Sequence, residues 1–180
     1  MWADGRFLSR TEDSIISADF AGRPSARFVF SNPAPFIAFG FGIGLMPFAP
    51  GTFGTLLAFP MYVWLAPRLG DPAFAALLLA MFIVGVWACH VTGRKLGVHD
   101  HGGMVWDETV AFLIVLYFTP DSWPWQVCAF LLFRFFDIAK PAPIRHFDRS
   151  IRNGLGVMFD DLLAAFYTLL CLAGWKFFIG

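Results

Sequence analysis

The sequence predicts an all-α protein with several helices that cross a membrane, and three observations support this. Hydrophobic residues make up 58% of the 180 residues and charged residues only 14%, whereas soluble domains carry about 25% charge. No Asp, Glu, Lys or Arg occurs in residues 28–67 or 72–93. The remaining charges are concentrated in short motifs between apolar segments. The net charge of zero gives no reason to expect a nucleic-acid partner.

Residues 1–31 are predicted to be a polar, cytoplasmic arm, and residues 32–180 a single helical membrane domain. Acidic residues and arginines are scattered through the arm, which excludes the early apolar core of a secretory signal peptide. Positively charged segments tend to stay in the cytoplasm, and the arginines of the arm favour that side. No repeat or long linker divides the rest of the chain, and nothing in it indicates an obligatory protein partner.

Apolar segments at residues 53–67, 72–91, 108–120, 125–138 and 162–177 are expected to form helices, giving four or five crossings. The segment at 72–91 is the strongest candidate because it is long and uncharged. Residues 32–46 are apolar but rich in Gly and Pro, which favours a re-entrant or interfacial segment. In this topology residues 50–55, 94–108 and 134–161 all meet at the cytoplasmic face of the membrane.

The first polar motif is Pro50–Gly51–Thr52–Phe53–Gly54–Thr55. Its glycines would let backbone amides converge on an anion, and the hydroxyls of Thr52 and Thr55 would add donors for a phosphate. The alternative is a helix break that a threonine caps. The Gly–Lys–Ser/Thr ending of a nucleotide-binding loop is absent.

The second motif contains His99, Asp100 and His101, followed by Asp107 and Glu108. The histidines could bind a transition metal, but a hydrogen-bonded loop is favoured because no thiolate accompanies them. The adjacent carboxylates suit the start of a helix. They equally suit Mg²⁺, which prefers one or two carboxylates together with waters and phosphate oxygens.

The third motif places Arg134 and Asp137 on one face of a helix that Lys140 and Pro141 should end. A further helix beginning near residue 143 would align four charged side chains in a basic stripe: Arg145, Asp148, Arg149 and Arg152. Such a stripe could touch anionic lipid headgroups or form a solvated salt-bridge face. The interleaved aspartates favour chemistry on a phosphorylated substrate instead.

The fourth motif ends in Asp160 and Asp161, which lead into the last apolar segment. These carboxylates could cap that helix. Together with Asp107 and Glu108, they could instead complete a metal site, since both acidic pairs start apolar segments on the same predicted face.

These motifs, in this order, resemble those of the phosphatidylglycerophosphatase A family. The matching segments are FGFGIGL (39–45), APGTFGT (49–55), GVHDHG (97–102), VWDE (105–108), FRFFDIAKPAPIRHFDR (133–149) and GLGVMFDD (154–161). The resemblance covers about residues 32–165. Departures such as Ala139 and Ala142 remove no charged residue of a motif.

The resemblance implies a Mg²⁺-dependent, multi-pass lipid phosphatase of the bacterial inner membrane, with its active site on the cytoplasmic side. Its reaction would convert phosphatidylglycerophosphate to phosphatidylglycerol, a step of phospholipid biosynthesis. The residues themselves indicate a membrane, a phosphate and a hard cation, but they do not name the lipid.

Most charged residues of the motifs are expected to have a role in that reaction. The expected Mg²⁺ ligands are Asp107, Glu108, Asp160 and Asp161. The expected phosphate-binding residues are Thr52, Thr55, Lys140, Arg145 and Arg149. Four basic residues would stabilise the charge of the transition state: Arg134, Lys140, Arg145 and Arg149. Asp137 or Asp148 would orient these bases or help to activate water.

Three alternatives remain open at the level of sequence. The first is a phosphatase of another phospholipid, such as phosphatidic acid. The second is a non-enzymatic transporter that uses carboxylates within the membrane. The third concerns mechanism, since a covalent aspartyl-phosphate could replace direct attack by water.

Overall fold

The computed structural model describes residues 24–142, 144 and 153–179, and in these residues all regular structure is helical, which confirms the all-α class. We number the α-helices α1 (Ala26–Phe30), α2 (Pro33–Ala38), α3 (Pro50–Leu65), α4 (Asp71–Leu96), α5 (Trp106–Phe118), α6 (Trp123–Ala139) and α7 (Gly154–Ile179). Two 3₁₀ helices cover Gly40–Leu45 and Ala66–Arg68. The predicted site residues Arg145, Asp148 and Arg149, and the helix expected near residue 143, lie outside the described residues.

Each of the five apolar segments coincides with one of the helices α3 to α7. Two stretches, Asp71–Leu96 and Gly154–Phe178, are long and apolar enough to cross a membrane. A 26-residue helix such as α4 is about 39 Å long, which exceeds the hydrocarbon thickness of about 30 Å. Helices α3, α5 and α6 are shorter, with 16, 13 and 17 residues. The segment at residues 32–46 forms only short helices, and its re-entrant or interfacial placement stays a prediction.

Helix α5 is the central element of the fold and contacts α3, α4, α6 and α7. Its apolar residues are buried on nearly all sides, as expected for a helix that is hydrophobic all round. Phe112 of α5 packs against an aromatic cluster from α3 and α6 that contains Phe59, Phe130 and Phe133. The indole N–H of Trp106 donates to the Met81 carbonyl of α4 at 3.1 Å. These contacts fix the N-terminal end of α5, where Asp107 and Glu108 lie.

The outer faces of the longer helices carry large apolar side chains in rows. On α4, Leu79 and Ile83 are 61% and 60% exposed, and on α6 Leu131 and Phe135 are 61% and 62% exposed. Residues four apart share one face of a helix, so these side chains form continuous apolar stripes. Soluble monomers rarely expose apolar surface on this scale.

The last helix begins earlier than expected, at Gly154 rather than near residue 162. Asn153 starts it, because its Oδ1 atom accepts from the backbone N–H groups of Leu155 and Gly156 at 2.9 and 3.2 Å. A Cβ atom on Gly154 would lie 2.1 Å from the Val86 carbonyl oxygen, so glycine lets this end of α7 approach α4 closely. The prediction that Asp160 and Asp161 cap the helix is therefore wrong.

Replacing Asn153 by Ala should lower the free energy of unfolding by about 1 kcal/mol, because two amides at the start of α7 lose their acceptor. Asn153→Asp keeps a capping oxygen and serves as the matched control. Thermal unfolding of the purified protein in detergent micelles measures both variants. An alanine variant that melts with the wild type would contradict this account of the helix start.

Candidate active site

The segment Pro50–Thr55 forms the first turns of α3, so it is helical rather than a loop. No side chain caps this helix, because the capping position is Ala49. The buried Thr55 hydroxyl donates to the Gly51 carbonyl at 3.0 Å. The alternative of a helix break that a threonine caps is therefore wrong, whereas the anion-binding role of this segment stays a prediction. The helix start instead presents two glycines and Thr55 to the neighbouring helices.

The Glu108 carboxylate lies directly against this glycine face of α3. A Cβ atom on Gly51 would be 2.0 Å from Glu108 Oε1, and one on Gly54 would be 3.0 Å from Oε2. The Thr109 hydroxyl, also of α5, contacts the Gly54 carbonyl at 2.8 Å and so joins the two helices next to the carboxylate. The first and second motifs are thus in direct contact.

Arg134 connects three of the helices through one nitrogen. Its Nη1 atom lies 3.1 Å from Glu108 Oε1, 2.8 Å from Asp137 Oδ2 and 3.3 Å from the Thr55 hydroxyl. The side chains of Arg134, Glu108 and Asp137 are only 15%, 13% and 12% exposed. The third motif therefore meets the first two in a largely buried ion-pair network.

Lys140 connects the end of α6 to α7. The helix ends at Ala139, as Lys140 and Pro141 predicted, and Lys140 adopts a left-handed backbone conformation with φ 40° and ψ 61°. This conformation is uncommon for a residue with a side chain. It accompanies an ion pair of 2.5 Å between Lys140 Nζ and Asp160 Oδ2. The fourth motif is thereby joined to the third.

The buried carboxylates of α5 and α7 interact with one another. Asp107, Asp160 and Asp161 are 6%, 5% and 3% exposed. Asp107 interacts electrostatically with Glu108, Asp100 and Asp160. Asp161 also interacts electrostatically with Asp137 and Asp107. All four acids predicted as metal ligands therefore belong to one electrostatic cluster.

The donor set of this cluster fits a hard cation. Glu108 Oε2 is buried and has no hydrogen-bond partner, a costly state for a carboxylate oxygen. Among the described residues, no three His, Cys, Asp or Glu side chains already surround a common point as metal ligands would. Mg²⁺ does not need three, because it usually takes one or two carboxylates and fills its shell with water and phosphate oxygens.

The histidines of the second motif lie in a turn beside this cluster. His101 Nδ1 accepts from the Gly103 amide at 3.0 Å, and the His101 ring contacts Phe39. His99 is exposed. This arrangement agrees with the hydrogen-bonded loop that was favoured over a transition-metal site.

Sequence reasoning missed three contributors to the site. Gly51 and Gly54 were expected to let backbone amides converge on an anion, and their role in giving room to Glu108 was not foreseen. Asp100 was considered only together with its flanking histidines, yet its charge acts on both Asp107 and Glu108. A heptad-like reading of α3, with small residues at 51, 54, 55 and 58 on one face, could have revealed the first two.

The pairing of Arg134 and Lys140 with buried carboxylates is typical of a class of protein, helical enzymes that act on phosphate esters. Comparison with known proteins agrees with this class. Residues 36–176 match the family model of Phosphatidylglycerophosphatase A. No solved structure matches the chain.

Three curated relatives cover most of the chain. A protein of Haemophilus influenzae named Phosphatidylglycerophosphatase A is 46% identical over 148 residues, which are 82% of this chain and 91% of the relative. One of the same name from Escherichia coli K12 is 40% identical over 156 residues, with 86% and 88% covered. A Putative phosphatidylinositol-3-phosphatase of Bacteroides thetaiotaomicron is 40% identical over 151 residues, with 80% and 94% covered.

The chain therefore belongs to the phosphatidylglycerophosphatase A family, and it is a phosphatase enzyme. The alternative of a non-enzymatic transporter is excluded by this membership.

Proposed function

We propose that the enzyme removes the terminal phosphate of phosphatidylglycerophosphate in a Mg²⁺-dependent reaction, giving phosphatidylglycerol. The observation that carries the proposal is the set of contacts that the Glu108 carboxylate makes. Its Oε1 atom pairs with Arg134 while its buried Oε2 atom has no partner, in the middle of an acidic cluster. A cation together with a phosphate would complete this arrangement, and two relatives bear the name of the corresponding lipid phosphatase.

We also propose that the enzyme is a multi-pass protein of the bacterial inner membrane, with its site on the cytoplasmic side. The apolar stripes on α4 and α6 would face lipid, and α4 and α7 are long enough to cross. Helices α3, α5, α6 and α7 bring the four motifs to one end of the fold. A site at one end of a bundle suits the headgroup of a phospholipid partner at the membrane surface.

Arg134 and Lys140 are proposed to bind the phosphate. In the described structure each is paired with a carboxylate, Arg134 with Glu108 and Asp137, and Lys140 with Asp160. These carboxylates hold the two cationic groups at the site before substrate arrives, which reduces the cost of ordering them. Arg145, Arg149, Thr52 and Thr55 are proposed to add further contacts to the phosphate. Thr52 is half-buried, and the buried Thr55 hydroxyl lies 3.3 Å from Arg134 Nη1.

Glu108, Asp107, Asp160 and Asp161 are proposed to hold Mg²⁺, directly or through water. When bound, the ion would supply positive charge that polarises the phosphate oxygens. Glu108 offers its unpartnered Oε2 atom, and the buried aspartates add negative charge that favours a cation.

We propose that water attacks the phosphorus atom directly. Its oxygen forms the new P–O bond while the bond to the glycerol oxygen breaks, and Arg134 and Lys140 stabilise the charge on the phosphate oxygens. Asp137 or Asp148 accepts the proton that the water loses, and the leaving glycerol oxygen takes up a proton. Direct attack is favoured over a covalent aspartyl-phosphate because the described carboxylates are paired with cations or clustered with one another.

A panel of lipids tests which phospholipid is the preferred substrate. We expect inorganic phosphate to be released at least about tenfold faster from phosphatidylglycerophosphate than from phosphatidic acid or phosphatidylinositol 3-phosphate, each in the same detergent micelles. Tenfold corresponds to about 1.4 kcal/mol, which one additional headgroup hydrogen bond can supply.

The third lipid is included because one relative carries the name of a phosphatidylinositol-3-phosphatase. Faster release from either of the other two lipids would contradict the proposed substrate. It would leave the assignment of a phosphatase intact.

A further inference from the structure

We propose that Gly51 and Gly54 are positioning residues that seat the Glu108 carboxylate for the cation. This inference rests on the proposed magnesium site and adds two residues to it. Positions 51 and 54 are three apart, so they lie on one face of α3, and this face is the one that meets α5. By the seat we mean the space that Gly51 and Gly54, which have no side chains, leave for the Glu108 carboxylate.

The distances show how little room the seat leaves. A Cβ atom on Gly51 would lie 2.0 Å from Glu108 Oε1 and 2.8 Å from its Cδ atom. A Cβ atom on Gly54 would lie 3.0 Å from Glu108 Oε2 and 2.6 Å from the Val105 Cβ atom. Real Cβ atoms almost never come closer than 3.0 Å to such neighbours. A methyl group at position 51 must therefore displace the carboxylate.

The surrounding contacts keep Glu108 in this seat. Arg134 holds the Oε1 atom at 3.1 Å, and Thr55 in turn contacts both Arg134 and the Gly51 carbonyl. The Thr109 hydroxyl ties the first turn of α5 to Gly54. The N-terminal end of α3 also favours a carboxylate, because its backbone N–H groups carry partial positive charge. The unpartnered Oε2 atom is what this arrangement leaves available for a ligand.

The seat gives Pro50–Thr55 a role that its sequence did not reveal. The segment was expected to bind phosphate through its glycines and threonines. The structure places Gly51, Gly54 and Thr55 against α5 and Arg134, where they orient a carboxylate. Both threonines were predicted to donate to a phosphate. Thr52 is half-buried, and Thr55 is fully buried.

Binding of Mn²⁺, a hard cation that can replace Mg²⁺, tests the seat without any measurement of activity. The full chain in detergent micelles is titrated, and the free ion is measured by electron paramagnetic resonance. We expect Gly51→Ala to bind Mn²⁺ about 10–100-fold more weakly than the wild type, the usual effect of losing a residue that orients a ligand. Gly174→Ala is the matched control, because a Cβ atom there meets nothing within 4 Å. Wild-type affinity in Gly51→Ala would overturn the inference.

A second variant covers the case in which Gly51→Ala folds poorly. Glu108→Asp withdraws the carboxylate by one methylene group, which should make room for the added methyl. We expect Glu108→Asp to lower the melting temperature of the wild type but to raise that of Gly51→Ala. If Glu108→Asp lowers the melting temperature in both backgrounds, or does not restore folding of Gly51→Ala, the steric seat is wrong.

The two proposals fail in different ways. A folded wild type that binds no Mn²⁺ contradicts the proposed magnesium site. Normal binding in the wild type, together with unchanged binding in Gly51→Ala, contradicts the seat alone.

Discussion

Glu108→Gln should reduce the rate of phosphate release by about 10²–10³-fold, because a bound cation contributes several kcal/mol to the transition state. The substitution keeps the shape of the side chain and its contact with Gly51, so the fold should survive. It removes the negative charge that Arg134 shares with the proposed cation. Mn²⁺ binding should weaken in parallel with the rate.

The matched control for Glu108→Gln is Asp121→Asn. Asp121 is exposed, lies in the turn between α5 and α6 at the other end of these helices, and accepts from Gln126 at 3.1 Å. The same change from acid to amide should leave the rate within about twofold there, as expected for a surface position away from the site. A Glu108→Gln variant with the rate of the control would contradict the role of Glu108.

Arg134→Met should have the second large effect, on stability as well as on rate. Removing the guanidinium leaves the carboxylates of Glu108 and Asp137 largely buried beside each other without their cation. Losing one partner of a buried ion pair typically costs about 3–5 kcal/mol. Thermal unfolding in micelles should show this loss, and phosphate release should fall because one phosphate-binding group is gone.

The change in stability on adding Mg²⁺ tests the ion-pair network further. The uncompensated carboxylates of Arg134→Met should gain more stability from Mg²⁺ than those of the wild type, since the ion replaces part of the missing charge. Arg134→Lys retains a positive charge but not the guanidinium shape. Its gain in stability from Mg²⁺ should lie between those of the wild type and Arg134→Met. An Arg134→Met variant that melts like the wild type and shows no larger response to Mg²⁺ would contradict the ion-pair network.

Much of the fold could be predicted from the sequence because apolar composition and charge placement act over whole segments. The long uncharged run at 72–93 predicted α4, and Lys140 before Pro141 predicted the end of α6. The convergence of the motifs followed from alternating helix directions. The contacts of Arg134 with Glu108 and Thr55, and of Lys140 with Asp160, confirm that the four motifs come together.

The start of α7 could not be predicted as well, because local sequence gave conflicting signals. Asn153 is a strong capping residue, but Gly154 and Gly156 lower helix propensity and two aspartates follow. The close approach of α7 to the α4 backbone at Val86 compensates for the glycine and extends the helix by two turns. That packing is a tertiary effect. As a result, Asp160 and Asp161 lie about 10 Å along the helix from its start, rather than at the cap.

The detailed arrangement of the site also could not be predicted from the sequence. The residue types and their spacing indicated a phosphate and a hard cation, but they did not show which carboxylate pairs with which cation. The spacing of Gly51 and Gly54 indicates a face of α3 that a neighbour can approach closely. It does not show that the neighbour is the Glu108 carboxylate, which follows only from the packing of α3 against α5.

The measurement that tests the central claim most directly is phosphate release from phosphatidylglycerophosphate in detergent micelles. It compares the wild type and Asp161→Asn, each with Mg²⁺ and with a chelator. The account predicts release by the wild type that requires Mg²⁺ and is lost in Asp161→Asn. Release that persists in the chelator, or that proceeds at the wild-type rate in Asp161→Asn, would contradict a magnesium site built from the buried carboxylates.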